Sequence, residues 1–158
     1  MARARPLAIL AVAVLPAAVA AQQAPLVYSE FRADAIIATG TTVQGAAGVV
    51  FPAGVYVRVG LDAGVGSTWR EASSFTTGRV DLIARFLLDP LRETGLGFSA
   101  GGGLSAPIGR DGFTTPYLTI VVDVEGRRRG GFTPALEVGL GGGARIGFVL
   151  RRSPPRWR

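Results

Sequence analysis

The sequence contains no cysteine, no histidine and no lysine. Without cysteine there is no disulfide and no thiolate nucleophile. Without histidine the Ser-His-acid route to acyl hydrolysis is closed, and without lysine so is Schiff-base chemistry. Zinc loses its two commonest ligand types. Long apolar runs are also scarce. Residues 36–57 carry no charge, yet they hold two turn signals, Thr39-Gly40-Thr41 and Pro52-Ala53-Gly54, so they do not read as a membrane helix.

The long apolar run that does exist is at the N-terminus, "MARARPLAILAVAVLPAAVAAQQ". Arg3 and Arg5 form a basic start, Leu7 to Leu15 is unbroken and apolar, and Ala18-Val19-Ala20 is a small-x-small cleavage site. This is the anatomy of a secretory signal peptide over residues 1–21. It leaves a single domain at 22–152 and a basic tail at 153–158. The formal charge is +6, and every positive side chain is Arg. Export argues against a nucleic-acid partner. The runs Arg127-Arg128-Arg129 and Arg151-Arg152, with Arg156 and Arg158, read as solvated turn and tail charge or as contacts to anionic lipid headgroups.

After the signal peptide the chain alternates with period 2. In "VYVRVGLDAGVG", residues 55–66, Val55, Val57, Val59, Leu61, Ala63 and Val65 share one face, while Tyr56, Arg58, Gly60, Asp62, Gly64 and Gly66 share the other. Alternate side chains of a strand point to opposite faces, so this predicts a two-faced strand. The same pattern recurs from Phe31 to Ile37, Val43 to Phe51, Val80 to Leu88, Leu96 to Leu104, Leu118 to Val124 and Leu136 to Leu150. Turn signals separate the runs at Ser67 to Ser74, Asp89-Pro90, Gly109 to Gly112 and Gly126 to Gly131. The expected fold is all-β, a single antiparallel up-and-down meander closed into a small β-barrel of about eight strands. The count turns on Gly141-Gly142-Gly143. As a turn it gives eight strands, and as strand it gives seven. A closed antiparallel ring needs an even number, which favours eight.

The polar face is rich in glycine and carries charges of both signs. Glu30, Asp34, Asp62, Asp81, Asp123, Glu125 and Glu137 are its acids, and Arg32, Arg58, Arg79, Arg85, Arg145 and Arg151 its bases. On a water-facing surface so much glycine only weakens strands; inside a narrow barrel it makes room for long neighbours. A confined lumen also demands paired charge. Strands of about 11 residues, tilted, rise about 25 Å, the height of an outer-membrane apolar band. Tyr28, Phe51, Tyr56, Trp69, Phe75, Phe113, Tyr117 and Phe132 lie near strand ends and suit an interfacial girdle.

From Leu26 to Arg152 this pattern resembles the small eight-stranded outer-membrane β-barrel proteins of bacteria, by pattern and size. That family often ends on an aromatic and has long outer loops. Here "RRSPPRWR" follows Leu150, and the turns are short. The resemblance implies a cell outer-membrane location. The apolar face would meet lipid, and a lumen network would be built from Glu30, Arg32, Asp34, Arg58, Asp62, Arg79, Asp81, Arg85, Asp123, Glu125, Glu137 and Arg145.

Two motifs offer other chemistry. Asp123 and Glu125 share a face, with Asp81 a possible neighbour, and paired carboxylates serve glycoside hydrolysis or Ca²⁺ binding; with Arg equally abundant on that face, ion pairing is the simpler reading. Gly139-x-Gly141-x-x-Ala144 and Gly101-x-Gly103-x-x-Ala106 match a dinucleotide fingerprint. That fingerprint needs a following helix, and alternation or Pro107 follows instead. The expectation is a non-enzymatic outer-membrane barrel with an envelope structural or surface-interaction role. No cofactor, metal, nucleotide or nucleic acid is expected, the partners are outer-membrane lipids, and a monomer is favoured. The alternative is a soluble periplasmic barrel, lipocalin-like, binding a small apolar ligand.

Overall fold

The computed structural model describes residues 27–71, 73–90, 95–109 and 112–152. The expected signal peptide, the first residues of the expected domain (22–26) and the basic tail lie outside these residues. The strands are β1 (Tyr28–Ile37), β2 (Thr41–Pro52), β3 (Val57–Arg70), β4 (Ser73–Leu87), β5 (Gly97–Gly109), β6 (Gly112–Phe113), β7 (Tyr117–Glu125), β8 (Phe132–Leu140) and β9 (Ala144–Arg152). Each long strand pairs antiparallel with the next. β1 also pairs with β9, and β4 with β5, so eight strands close into a ring. The ninth, β6, is a two-residue arm on β5, continuing the edge that β7 occupies.

Gly141–Gly143 is the turn between β8 and β9, which fixes the ring at eight. Leu140 pairs with Ala144 across it. The three glycines have φ of 147°, 67° and 146°, values that a side chain strongly disfavours. The turn expected over Ser67 to Ser74 is much shorter. β3 runs to Arg70 and β4 starts at Ser73, because Thr68 turns inward and shares a hydroxyl hydrogen bond of 2.7 Å with Thr42. Alternation in the third strand begins at Val57 rather than Val55. Tyr56 precedes β3 and lies outside, stacked on Phe86 with ring centroids 5.7 Å apart.

The two faces are inverted relative to a water-soluble protein. Phe31, Val43, Leu61, Val65, Leu82, Phe86, Leu104, Ile120, Val138 and Ile146 point outward and are exposed. The charged residues of the opposite face are buried except Arg58, which is half-buried, together with a few aliphatics of the same parity, Val50, Ile83, Val121 and Val149.

Glycine is what allows the interior to hold such long side chains. Arg85 is paired across strands with Gly101, Arg79 with Gly64, Arg145 with Gly139, Glu137 and Asp34 both with Gly147, and Glu125 with Gly97. A Cβ at Gly48 would collide with the Asp62 carboxylate, and one at Gly103 with the Leu82 carbonyl. Gly103→Ala is therefore expected to cost about 1–3 kcal/mol, read as a lower urea midpoint of the refolded barrel. Gly45→Ala is the control. Gly45 faces outward, and the nearest atom is 3.9 Å from where a Cβ would stand, so a change within about 0.5 kcal/mol is expected.

Candidate functional site: a charged lumen

Inner positions of β2 and β5 carry no charge; they are Thr42, Gln44, Ala46, Gly48 and Val50 on one, and Gly97, Ser99, Gly101, Gly103 and Ser105 on the other. The remaining six long strands supply the ions. Their cross-strand register puts like charges side by side: Asp62 beside Asp81, Arg58 beside Arg85, and Asp123 beside Glu137. Adjacent like charges on one face repel. Partners are therefore drawn from elsewhere in the ring, with Arg79 on the same strand also meeting Asp81 at 3.0 Å, and this carries several arginines across the lumen.

Arg85 on β4 reaches Asp123 on β7 at 3.0 Å and Glu137 on β8 at 2.7 Å, clamping that like-charged pair. Arg145 on β9 reaches Asp81 on β4 at 3.1 Å. These two strands stand opposite each other in the ring of eight, so the contact spans the full lumen. Arg32 on β1 contacts Glu30 and Asp62, each at 3.3 Å, and also pairs with Glu137. Asp34 accepts from Arg145 at 2.8 Å, from Arg79 at 3.2 Å and from the Gln44 amide at 3.3 Å. Arg58, at the end of the barrel where β1 begins and β9 ends, bonds Glu125 at 2.6 Å.

Of the twelve residues expected in this network, all but Arg58 are buried; the Arg58 side chain keeps 17 % of its exposure. Together they form one connected set along the barrel axis. Arg151 belongs to it as well, a thirteenth member beyond the twelve expected. Its guanidinium contacts Glu30 at 2.6 Å, Asp123 at 3.2 Å and Glu125. The signal is present in the alternation, since Arg145, Gly147, Val149 and Arg151 share a parity. The sequence places Arg151 on the charged face by this parity, but beside the basic tail it also reads as solvated tail charge, and the expected network omits it.

Both carboxylates of the Asp123–Glu125 pair are engaged by arginine, and Ser99 also donates to Asp123 at 2.9 Å. Both are buried and belong to the same ion network. Among the described residues no group of three or more acidic side chains is disposed to hold a metal. The glycine motifs fall elsewhere: Gly101 and Gly103 lie inside β5, and Gly139 to Ala144 spans a β-turn with no helix after it.

The aromatic positions divide between the two ends. Tyr28, Phe51, Tyr56 and Phe132 lie at the end holding Arg58, and Trp69, Phe75, Phe113 and Tyr117 at the other. Phe51, Tyr56, Trp69 and Phe113 are exposed as a girdle requires. Phe75 and Tyr117 instead line the mouth of the barrel. Arg58 lies over the Tyr28 ring and Arg152 over the Phe132 ring, at 5.7 and 5.6 Å from the centroids.

No protein-family model and no curated protein matches the sequence. Solved structures share the fold. A barrel from work on the de novo design of transmembrane β-barrels is 12% identical, with a TM-score of 0.59 over 84% of this chain and 98% of that one. The solution NMR structure of the de novo designed TMB2.3 is 15% identical, with a TM-score of 0.58 over 85% and 99%. The N-terminal β-barrel domain of Pseudomonas aeruginosa OprF is 15% identical, with a TM-score of 0.53 over 80% and 97%.

Proposed function

We propose that the chain is a non-enzymatic outer-membrane β-barrel, its lumen plugged by Arg–carboxylate pairs, with an envelope structural or surface-interaction role. The observation that carries this reading is the inversion of faces. A belt of exposed Leu, Ile, Val and Phe surrounds a buried set of ions. In water so continuous an apolar wall drives association, whereas in lipid it is the stable arrangement. The likeness to transmembrane barrels supports the same reading. The direct partners are then membrane lipids, and a monomer satisfies every edge because the ring is closed. Arg127, Arg128, Arg129 and Arg152, exposed at one end, suit anionic headgroups beside the aromatic girdle. The soluble, lipocalin-like alternative needs an apolar lumen, and ions dominate this one.

The plug makes the proposal testable. An eight-stranded barrel has an interior just wide enough for side chains to fill. Here Arg145 and Asp81 join opposite walls. Single-channel recording in planar bilayers is expected to show no large, stable conductance. A steady open channel would refute the plugged lumen.

A further inference from the structure

At the end of the barrel away from Tyr28 and Arg152, the lumen opens into a cavity of about 320 Å³. The ion network closes it below, so it is a cup rather than a passage. Its size is at the small end of ligand pockets, which run from about 300 to 1,000 Å³. We propose that this cup binds a small acidic sugar, a ring bearing hydroxyls and one oxyanion.

The chemistry of the wall selects that class. Among the described lining residues two are Arg, Arg70 at the rim and Arg79 at the floor, and none is Asp or Glu. Arg79 is already paired with Asp34 at 3.2 Å and Asp81 at 3.0 Å, so the cation open to an anion is Arg70 at the rim. Arg70 is exposed and spends one contact on Thr39, at 3.1 Å, which leaves most of its guanidinium fork available to a carboxylate or phosphate.

The threonines supply the complementary half. Thr77 and Thr114 donate their hydroxyl protons to the carbonyls of Ile108 and Pro107, at 3.3 Å each. Both residues line the cavity, and their oxygens keep lone pairs able to accept from sugar hydroxyls. Tyr117 adds a flat apolar face. It lines the cavity, and its Cζ end is held close to Gly142, where a Cβ would stand 2.5 Å from it. A sugar ring stacks its C–H face on such a surface, while a bare oxyanion gains nothing from it.

The full chain folded in detergent micelles is titrated with glucuronate, glucose and inorganic phosphate, followed by calorimetry and by shifts of the threonine methyl resonances. Glucuronate is expected to bind in the millimolar range or tighter, about tenfold more strongly than glucose or phosphate. Arg70→Gln is expected to abolish that preference while leaving glucose binding unchanged. Tyr117→Ala is expected to weaken glucuronate and glucose alike, and heat-modifiable gel mobility verifies that both variants fold. Equal binding of glucose and glucuronate, phosphate binding as tight as glucuronate, or an absence of binding overturns the proposal. The readout is taken in micelles and requires neither a membrane nor a conductance measurement, so its failure is distinguishable from failure of the proposed function.

Discussion

Glu137→Ala is expected to destabilise the folded barrel by about 3–5 kcal/mol, the cost of breaking buried ion pairs by removing the carboxylate that three arginines share. Glu137 is fully buried and is met by Arg32, by Arg85 at 2.7 Å and by Arg145 at 3.6 Å, from three different strands. Removing it takes a carboxylate from three guanidiniums whose side chains are at most 2 % exposed, and each must then share what remains: Arg32 keeps Glu30 and Asp62, Arg85 keeps Asp123, and Arg145 keeps Asp34 and Asp81. The substitution makes the lumen count even, six acids against six Arg once Arg151 is included. A rise in stability would therefore follow if net charge ruled. The opposite sign is expected because the local partner decides the cost of a buried ion. Glu137→Gln keeps an acceptor and loses the charge, so its effect is expected to be smaller. Arg58→Ala is the mild comparison. Its partner Glu125 retains Arg151, and Arg58 is partly solvated, so a loss within about 1 kcal/mol is expected. Urea unfolding in lipid vesicles ranks the three. A Glu137→Ala barrel as stable as the parent would show that the network does not hold the lumen together.

The alternation in the sequence is enough to assign faces but not partners. Asp62 and Arg32 are inner residues by parity alone, and both are buried inside. That they meet at 3.3 Å, from β3 and β1 with β2 between them, depends on the stagger of neighbouring strands, which no single strand encodes. The contact between Arg145 and Asp81 depends further on ring closure. Continuous apolar stretches hide parity as well. In "LTIVVDVE", Val121 is as apolar as Ile120 and Val122; the flanking Thr119 and Asp123 place it inside, where it is fully buried. Glycine carries the opposite kind of signal. Its presence opposite Arg79, Arg85, Arg145, Glu125 and Glu137 follows from register, yet the need for it is visible in the sequence as an excess of glycine on the charged face. The cup is not legible in the sequence because its wall combines residues from strand ends and turns, Arg70, Thr114 and Gly142 among them, where period 2 carries no information.

The outer wall yields the second large effect. Leu82 is exposed at 48 %, points away from the lumen, and sits in a cross-strand row with Leu61 and Leu104. If that wall faces hydrocarbon, Leu82→Arg is expected to cost about 2–4 kcal/mol, the penalty for a guanidinium near the middle of the membrane. The cost is expected to fall to about 0–1 kcal/mol for Ser74→Arg, because Ser74 is exposed near the end of β4, at headgroup depth. In a water-soluble barrel the order would vanish, since replacing an exposed leucine by arginine changes stability by about 0.5 kcal/mol or less. Refolding both variants into lipid vesicles and comparing their urea midpoints separates the cases. Equal midpoints would place the belt in water. A deficit confined to Leu82→Arg would tie the penalty to depth, because both substitutions introduce the same side chain on the same strand.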